Sequence, residues 1–130
     1  MKNFSILLLF VFFISFSMFA QQVKALNEQF EMKTYYLVFL KKGTNRTQDS
    51  ATVTKIQEQH MAHLTKMHAD KKMCLAGPLM DNGDIRGICV YNTATLEEAK
   101  NLAESDPAVV SGRLQVEIHP WYAAKGTSLP

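Results

Sequence analysis

Apolar residues in this chain recur with a period of two in some stretches and about 3.6 in others, and the order of those stretches defines a topology. Residues 34–41 are aromatic and β-branched in character and end at Gly43-Thr44-Asn45, which predicts a strand. Both faces of that strand are apolar, with Tyr36, Val38 and Leu40 on one and Tyr35, Leu37 and Phe39 on the other. A sheet covered on one side alone would alternate, so both sides are expected to be covered. Val53, Ile56, His60, Leu64 and Met67 share one narrow stripe at about 100° per residue, predicting a helix. Asp49 or Ser50 can cap it, and it should run to Ala69 or Asp70.

Residues 72–77 and 85–92 predict two further strands, joined across the turn Asp81-Asn82-Gly83-Asp84. Thr95 with Glu98 three positions on is a capping box. It should open a helix to Glu104 that buries Leu96, Ala99, Leu102 and Ala103. Asp106, Pro107 and Gly112 have the cap, first-turn and terminator chemistry of one short helical turn. Residues 113–119 alternate Leu114, Val116 and Ile118 against Gln115, Glu117 and His119, a last strand expected to stop at Pro120, leaving 121–130 as a tail. The order is β-α-β-β-α-β, an α+β, ferredoxin-like arrangement with a four-stranded antiparallel sheet and two helices on one face. The two apolar faces of the first strand then call for a cover on the bare side. A second copy of the sheet in a two-fold homodimer is the simplest one.

The amino terminus changes the picture of what is folded. Lys2 precedes an almost unbroken apolar run over residues 6–19, and Ala20 stands before Gln21-Gln22. Residues 1–20 therefore read as a secretory signal peptide, the run being short of the roughly 20 apolar residues of a membrane span. An uncleaved anchor is the alternative. The expected organisation is signal 1–20, linker 21–33, a single domain 34–126 and a tail 127–130, in an exported protein, periplasmic or secreted. The formal net charge of +2 on the whole chain loses one lysine with the signal. That balance provides no electrostatic footprint for nucleic acid or for an anionic membrane after cleavage. Lys41-Lys42 and Lys71-Lys72 are expected as solvated element ends. No Cys-x-x-Cys, nucleophile elbow, phosphate loop or dinucleotide fingerprint is present, which argues against thiol exchange, serine hydrolysis and nucleotide chemistry.

Several pieces in order carry a family resemblance: the helix histidine His60, the strand exit Leu75-Ala76-Gly77-Pro78-Leu79, and Arg86-Gly87-Ile88. Asp106-Pro107-Ala108-Val109, Gly112-Arg113-Leu114 and the ending Glu117-Ile118-His119-Pro120-Trp121 complete the set. Over residues 35–126 the chain resembles the YCII-related proteins of the dimeric α+β barrel superfamily. The resemblance implies the ferredoxin-like fold, a barrel-forming dimer, and a His–Asp active site that falls here on His60 and Asp106. It also implies acid/base chemistry, isomerisation or elimination, on a small organic substrate without a metal or organic cofactor.

His60 is the candidate general acid/base, since an unperturbed imidazole titrates at about pH 6.5. Asp106 would orient the ring and stabilise its protonated form. The plainer alternative is a hydrogen-bonded core histidine with Asp106 as no more than the cap of the Pro107 turn. The same two residues would also serve a non-catalytic, stress-associated or ligand-binding module. His60 and His63 lie three apart on the helix, but no further ligand at helical spacing accompanies them, so no metal site is expected. His63 is then a candidate at the pocket mouth and His68 a surface residue. Arg86 has a donor fork suited to an anionic substrate group, with an edge ion pair as the alternative. His119 and Trp121 are candidates for lining the pocket or the dimer seam. Cys74 and Cys89, on adjacent strands, come close to facing each other, so export would permit a disulfide. Two small buried residues are the alternative.

Overall fold

Order along the chain follows the alternation of strand and helix signals. In the computed structural model, residues 30–127 and 129–130 are described, together with Met18, Gln21, Gln22, Lys24 and Ala25. The expected signal segment, Met18 apart, lies outside the described residues. The elements are β1 (Met32–Lys42), α1 (Ser50–Ala69), β2 (Met73–Pro78), β3 (Ile85–Tyr91), α2 (Leu96–Glu104), α3 (Pro107–Val110) and β4 (Leu114–Ala124). They form a four-stranded sheet of order β2-β3-β1-β4, with β3 antiparallel to both neighbours. This is the ferredoxin-like arrangement expected from the pattern. Among the described residues no helix is long and apolar enough to cross a membrane.

Residues 34–122 make one unit, and the described residues outside that range another. In the second, the Lys125 N–H donates to the Glu31 carbonyl at 2.8 Å and Lys125 Nζ meets Glu31 Oε1 at 2.7 Å. In the first, alternation along β1 sends Tyr36, Val38 and Leu40 to the face that Met67 of α1 and Ala99 and Ala103 of α2 cover. Cys89 sits between Val38 and Ala76 in register, and Tyr91 between Tyr36 and Met73, so the same face continues across three strands. Fully burying a side chain such as Val38 is worth about 1.5–3 kcal/mol, and this face is where the fold gains most of it.

Five local expectations need correction. Pro120 does not stop the last strand, which runs on to Ala124 through much of the expected tail. The sheet order explains this: β4 is an edge strand, and an edge tolerates a residue without an N–H. Likewise β1 begins at Met32, inside the expected linker. Leu96 is exposed, because it opens α2 while Ala99 and Ala103 carry the buried stripe. Lys72 is not merely a solvated end: its Nζ lies 2.6 Å from Glu98 Oε1, beside the bonded cap Thr95. Cys74 and Cys89 are free thiols, since Cys89 pairs with Ala76 and a register shift between Met73 and Leu75 takes Cys74 out of line.

One glycine fixes the loop between β1 and α1. A Cβ on Gly43 would stand 2.0 Å from the Gly112 carbonyl oxygen and 2.6 Å from the Arg113 carbonyl carbon. Across this approach the Gly43 N–H donates to Arg113 O at 2.8 Å and the Asn45 N–H to Gly112 O at 3.1 Å. Gly112 itself takes φ of 75°, a left-handed conformation that a residue with a Cβ adopts only with strain.

Candidate functional site

The site begins with two helix ends. Asp49 caps α1, its Oδ1 accepting from the Thr52 N–H at 2.8 Å, and the helix then carries His60 to the face turned toward the sheet. Asp106 caps α3, its Oδ1 accepting from the Ala108 N–H at 2.8 Å. The other carboxylate oxygen, Oδ2, lies 2.7 Å from Nδ1 of His60. Capping and pairing with histidine were opposing readings of Asp106, and a single carboxylate does both because its two oxygens face different donors. His60 is 9% exposed and Asp106 2%, so water and salt screen their interaction far less than that of a surface pair.

An ionised Asp106 accepts from Nδ1–H, which leaves the lone pair of a neutral imidazole on Nε2. That nitrogen has no protein hydrogen bond among the described residues. His60 lines a cleft of about 850 Å³ between α1 and the β2–β3 edge of the sheet. Ile56, Leu64 and Ala76 supply apolar wall, and Cys89 lies at its floor. Burial, with a smaller contribution from the Asp106 charge, pushes the Cys89 thiol up to about 12. Burial likewise raises the Tyr91 phenol, with Cys89 and Asp106 adding to it. Both groups stay neutral at physiological pH, so Cys89 is no thiolate nucleophile.

The remaining candidates separate. Arg86 lines the cleft, and its Nη1 donates to the Gly83 carbonyl at 3.2 Å rather than forming an edge ion pair. His68 is an exposed residue on the cleft rim. His63 does not line the cleft; it is half-buried, with Nε2 enclosed and without a hydrogen-bond partner among the described residues. His119 and Trp121 lie on the opposite sheet face. The His119 ring stands edge-on to Phe39 at 5.8 Å, with its Nε2 3.0 Å from Glu117 Oε1, and Trp121 lies 6.5 Å from Tyr35. Two cleft residues, Arg46 and Arg113, were not singled out from the sequence as site residues. The signal available was composition: the chain uses arginine at positions 46, 86 and 113 alone, against eleven lysines. Among the described residues no three His, Cys, Asp or Glu side chains gather as metal ligands.

A ferredoxin-like α+β unit with a His–Asp pair under an open cleft defines the class. The YCII-related domain model matches residues 34–122, and the chain belongs to that family. Among solved structures, the chain is similar to 5-chloro-2-hydroxyhydroquinone dehydrochlorinase (TftG) from Burkholderia phenoliruptrix AC1100, in complex with 2,5-dihydroxybenzoquinone. The TM-score is 0.51 at 20% sequence identity, covering 67% of this chain and 92% of that one, a likeness of fold. No curated protein matches the chain.

Proposed function

We propose that this chain is an exported acid/base catalyst that moves a proton on a small organic molecule, by isomerisation or elimination, through Nε2 of His60. The observation that carries it is the 2.7 Å contact of His60 Nδ1 with the buried Asp106, beside an Nε2 that has no protein partner among the described residues. Proton abstraction from carbon places the proton on Nε2, and the C–H electron pair becomes a π bond. In an isomerisation the pair of the neighbouring π bond shifts onto a further carbon, and the imidazolium returns the proton to that carbon. In an elimination a leaving group such as chloride departs with its bonding pair instead. Asp106 keeps Nδ1 protonated and holds the charge that develops on the ring. Membership of the family and the likeness of fold to a dehydrochlorinase support this reading. A second copy of the chain covering the sheet face that carries Phe39 and Trp121 completes the proposed assembly.

The test is proton exchange and turnover. Small cyclic ketones, lactones and chlorinated hydroxyquinones are incubated with the protein in deuterated water, and deuterium uptake and chloride release are followed by NMR and ion chromatography. Exchange lost in His60→Gln is the expected result. Exchange that persists in His60→Gln overturns the assignment. Ligand binding with no exchange on any of these compounds makes the chain a binding module.

A further inference from the structure

We propose that the cleft selects an organic anion, gripped by Arg46, Arg113 and Arg86 while its hydrocarbon frame rests on the apolar wall beside His60. The proposal deepens the acid/base reading by naming the charge class of the substrate, and it rests on that reading for the reaction alone.

All three arginines of the chain line this one cleft, and no lysine among the described residues does. No aspartate or glutamate among the described residues lines it either. Elsewhere three acids sit against lysines: Glu117 against Lys41, Glu98 against Lys72 and Asp70 against Lys66. The cleft arginines meet only neutral partners. Arg113 Nη1 donates to the Gln48 side-chain oxygen at 3.1 Å, and Gln48 Nε2 in turn donates to the Ser111 carbonyl at 3.2 Å. This relay orients the guanidinium without neutralising it. Arg86 is tethered to a backbone carbonyl. Arg46 makes no hydrogen bond or ion pair among the described residues.

Two of the three come from loops that the fold holds together. The backbone approach at Gly43, the Asn45 N–H to Gly112 bond, and Asn45 Nδ2 donating to Ser111 O at 3.1 Å set the loop carrying Arg46 against the start of β4. Arginines that line one concavity with no acidic residue in its described wall raise its potential and attract anions. Their planar forks match a carboxylate or an enolate-type oxygen better than an ammonium does. Ile56, Leu64 and Leu40 offer the matching surface for a ring. A small ring acid, held by its charged oxygens at the arginines with a ring carbon presented to Nε2 of His60, fits this distribution.

The test uses benzoate and its neutral isostere benzamide as probes, titrated into 15N-labelled protein at low ionic strength. Arginine Nε–H and His60 ring signals report binding. Benzoate is expected to bind at least about tenfold more tightly than benzamide, as charge-assisted hydrogen bonds predict. Arg46→Gln, Arg113→Gln and Arg86→Gln should each weaken benzoate by about tenfold at an unchanged melting temperature, with Arg113→Lys losing less than Arg113→Gln. Equal affinity for the two probes, no binding of either, or unchanged benzoate affinity in the arginine variants overturns the proposal. The two readings fail separately. His60→Gln should still bind benzoate, so anion selectivity without proton exchange removes the catalytic reading alone. Exchange on neutral substrates with no preference for benzoate removes the anion reading alone.

Discussion

His60 and Asp106, 46 positions apart in the chain, meet at 2.7 Å between Nδ1 and Oδ2, and the second oxygen of that carboxylate holds the first turn of α3. The position of the imidazole is therefore tied to the cap of a helix of four residues. Removing the carboxylate takes away both. Asp106→Ala is expected to cost about 3 kcal/mol in equilibrium urea unfolding, the range for breaking a buried pair. Asp106→Asn, which keeps one acceptor oxygen, should cost less. Equal stability of wild type and Asp106→Ala would show that the pair contributes nothing to the fold.

The two cysteines should differ sharply as nucleophiles. Cys74 is exposed, whereas Cys89 is buried with its thiol raised to about 12. Iodoacetamide at pH 8 should label one site in the native protein and both in denaturant, read by peptide mass spectrometry. Native labelling of Cys89 at the rate of Cys74 contradicts the packing described for β3.

Gly43 tests the loop approach that joins Arg46 to Arg113. With a methyl group aimed at backbone atoms, Gly43→Ala should destabilise by about 2 kcal/mol, an overpacking cost with no flexible side chain to yield. It should also shift the amide signals of residues 43–46 and 111–113 together. A melting temperature equal to wild type would mean that the two loops are not in contact in solution.

Acid should weaken the fold through its helix caps. Asp49, hydrogen-bonded by the Thr52 N–H, and Glu98, paired with Lys72 and bonded by the Ala94 N–H, both have carboxyls held below their usual values. A carboxylate depressed in the folded state contributes stability above its unfolded pKa and loses it as pH falls through the folded one. The melting temperature should therefore drop as pH falls below about 4, the ordinary carboxylate range. Glu98→Gln should flatten that slope. An unchanged slope in Glu98→Gln would assign the acid sensitivity elsewhere.

His63 gives a prediction of the opposite sign. Its Nε2 is enclosed without a partner among the described residues, and such a group costs about 1–3 kcal/mol. His63→Leu is expected to leave the melting temperature unchanged or raise it. A clear fall would show that the ring is hydrogen-bonded after all.

The element order, the capping box at Thr95, the central place of His60 on its helix and the apolar character of both faces of β1 are all legible in the chain alone. Each of these depends on residues within one or two turns or along one strand, where periodicity and cap chemistry act directly. The resemblance added the pairing of His60 with Asp106, which spacing alone left open, because no local rule relates a mid-helix residue to a cap far along the chain. That Asp106 caps and pairs at once, that Pro120 lies within an edge strand, and that His119 and Trp121 face away from the cleft emerge from the folded arrangement. It alone gathered Arg46, Arg86 and Arg113, which come from a loop, a strand and a strand start and share no sequence period. Their meeting depends on sheet order and on the loop approach at Gly43, and long-range packing of that kind is written in no single stretch of the chain.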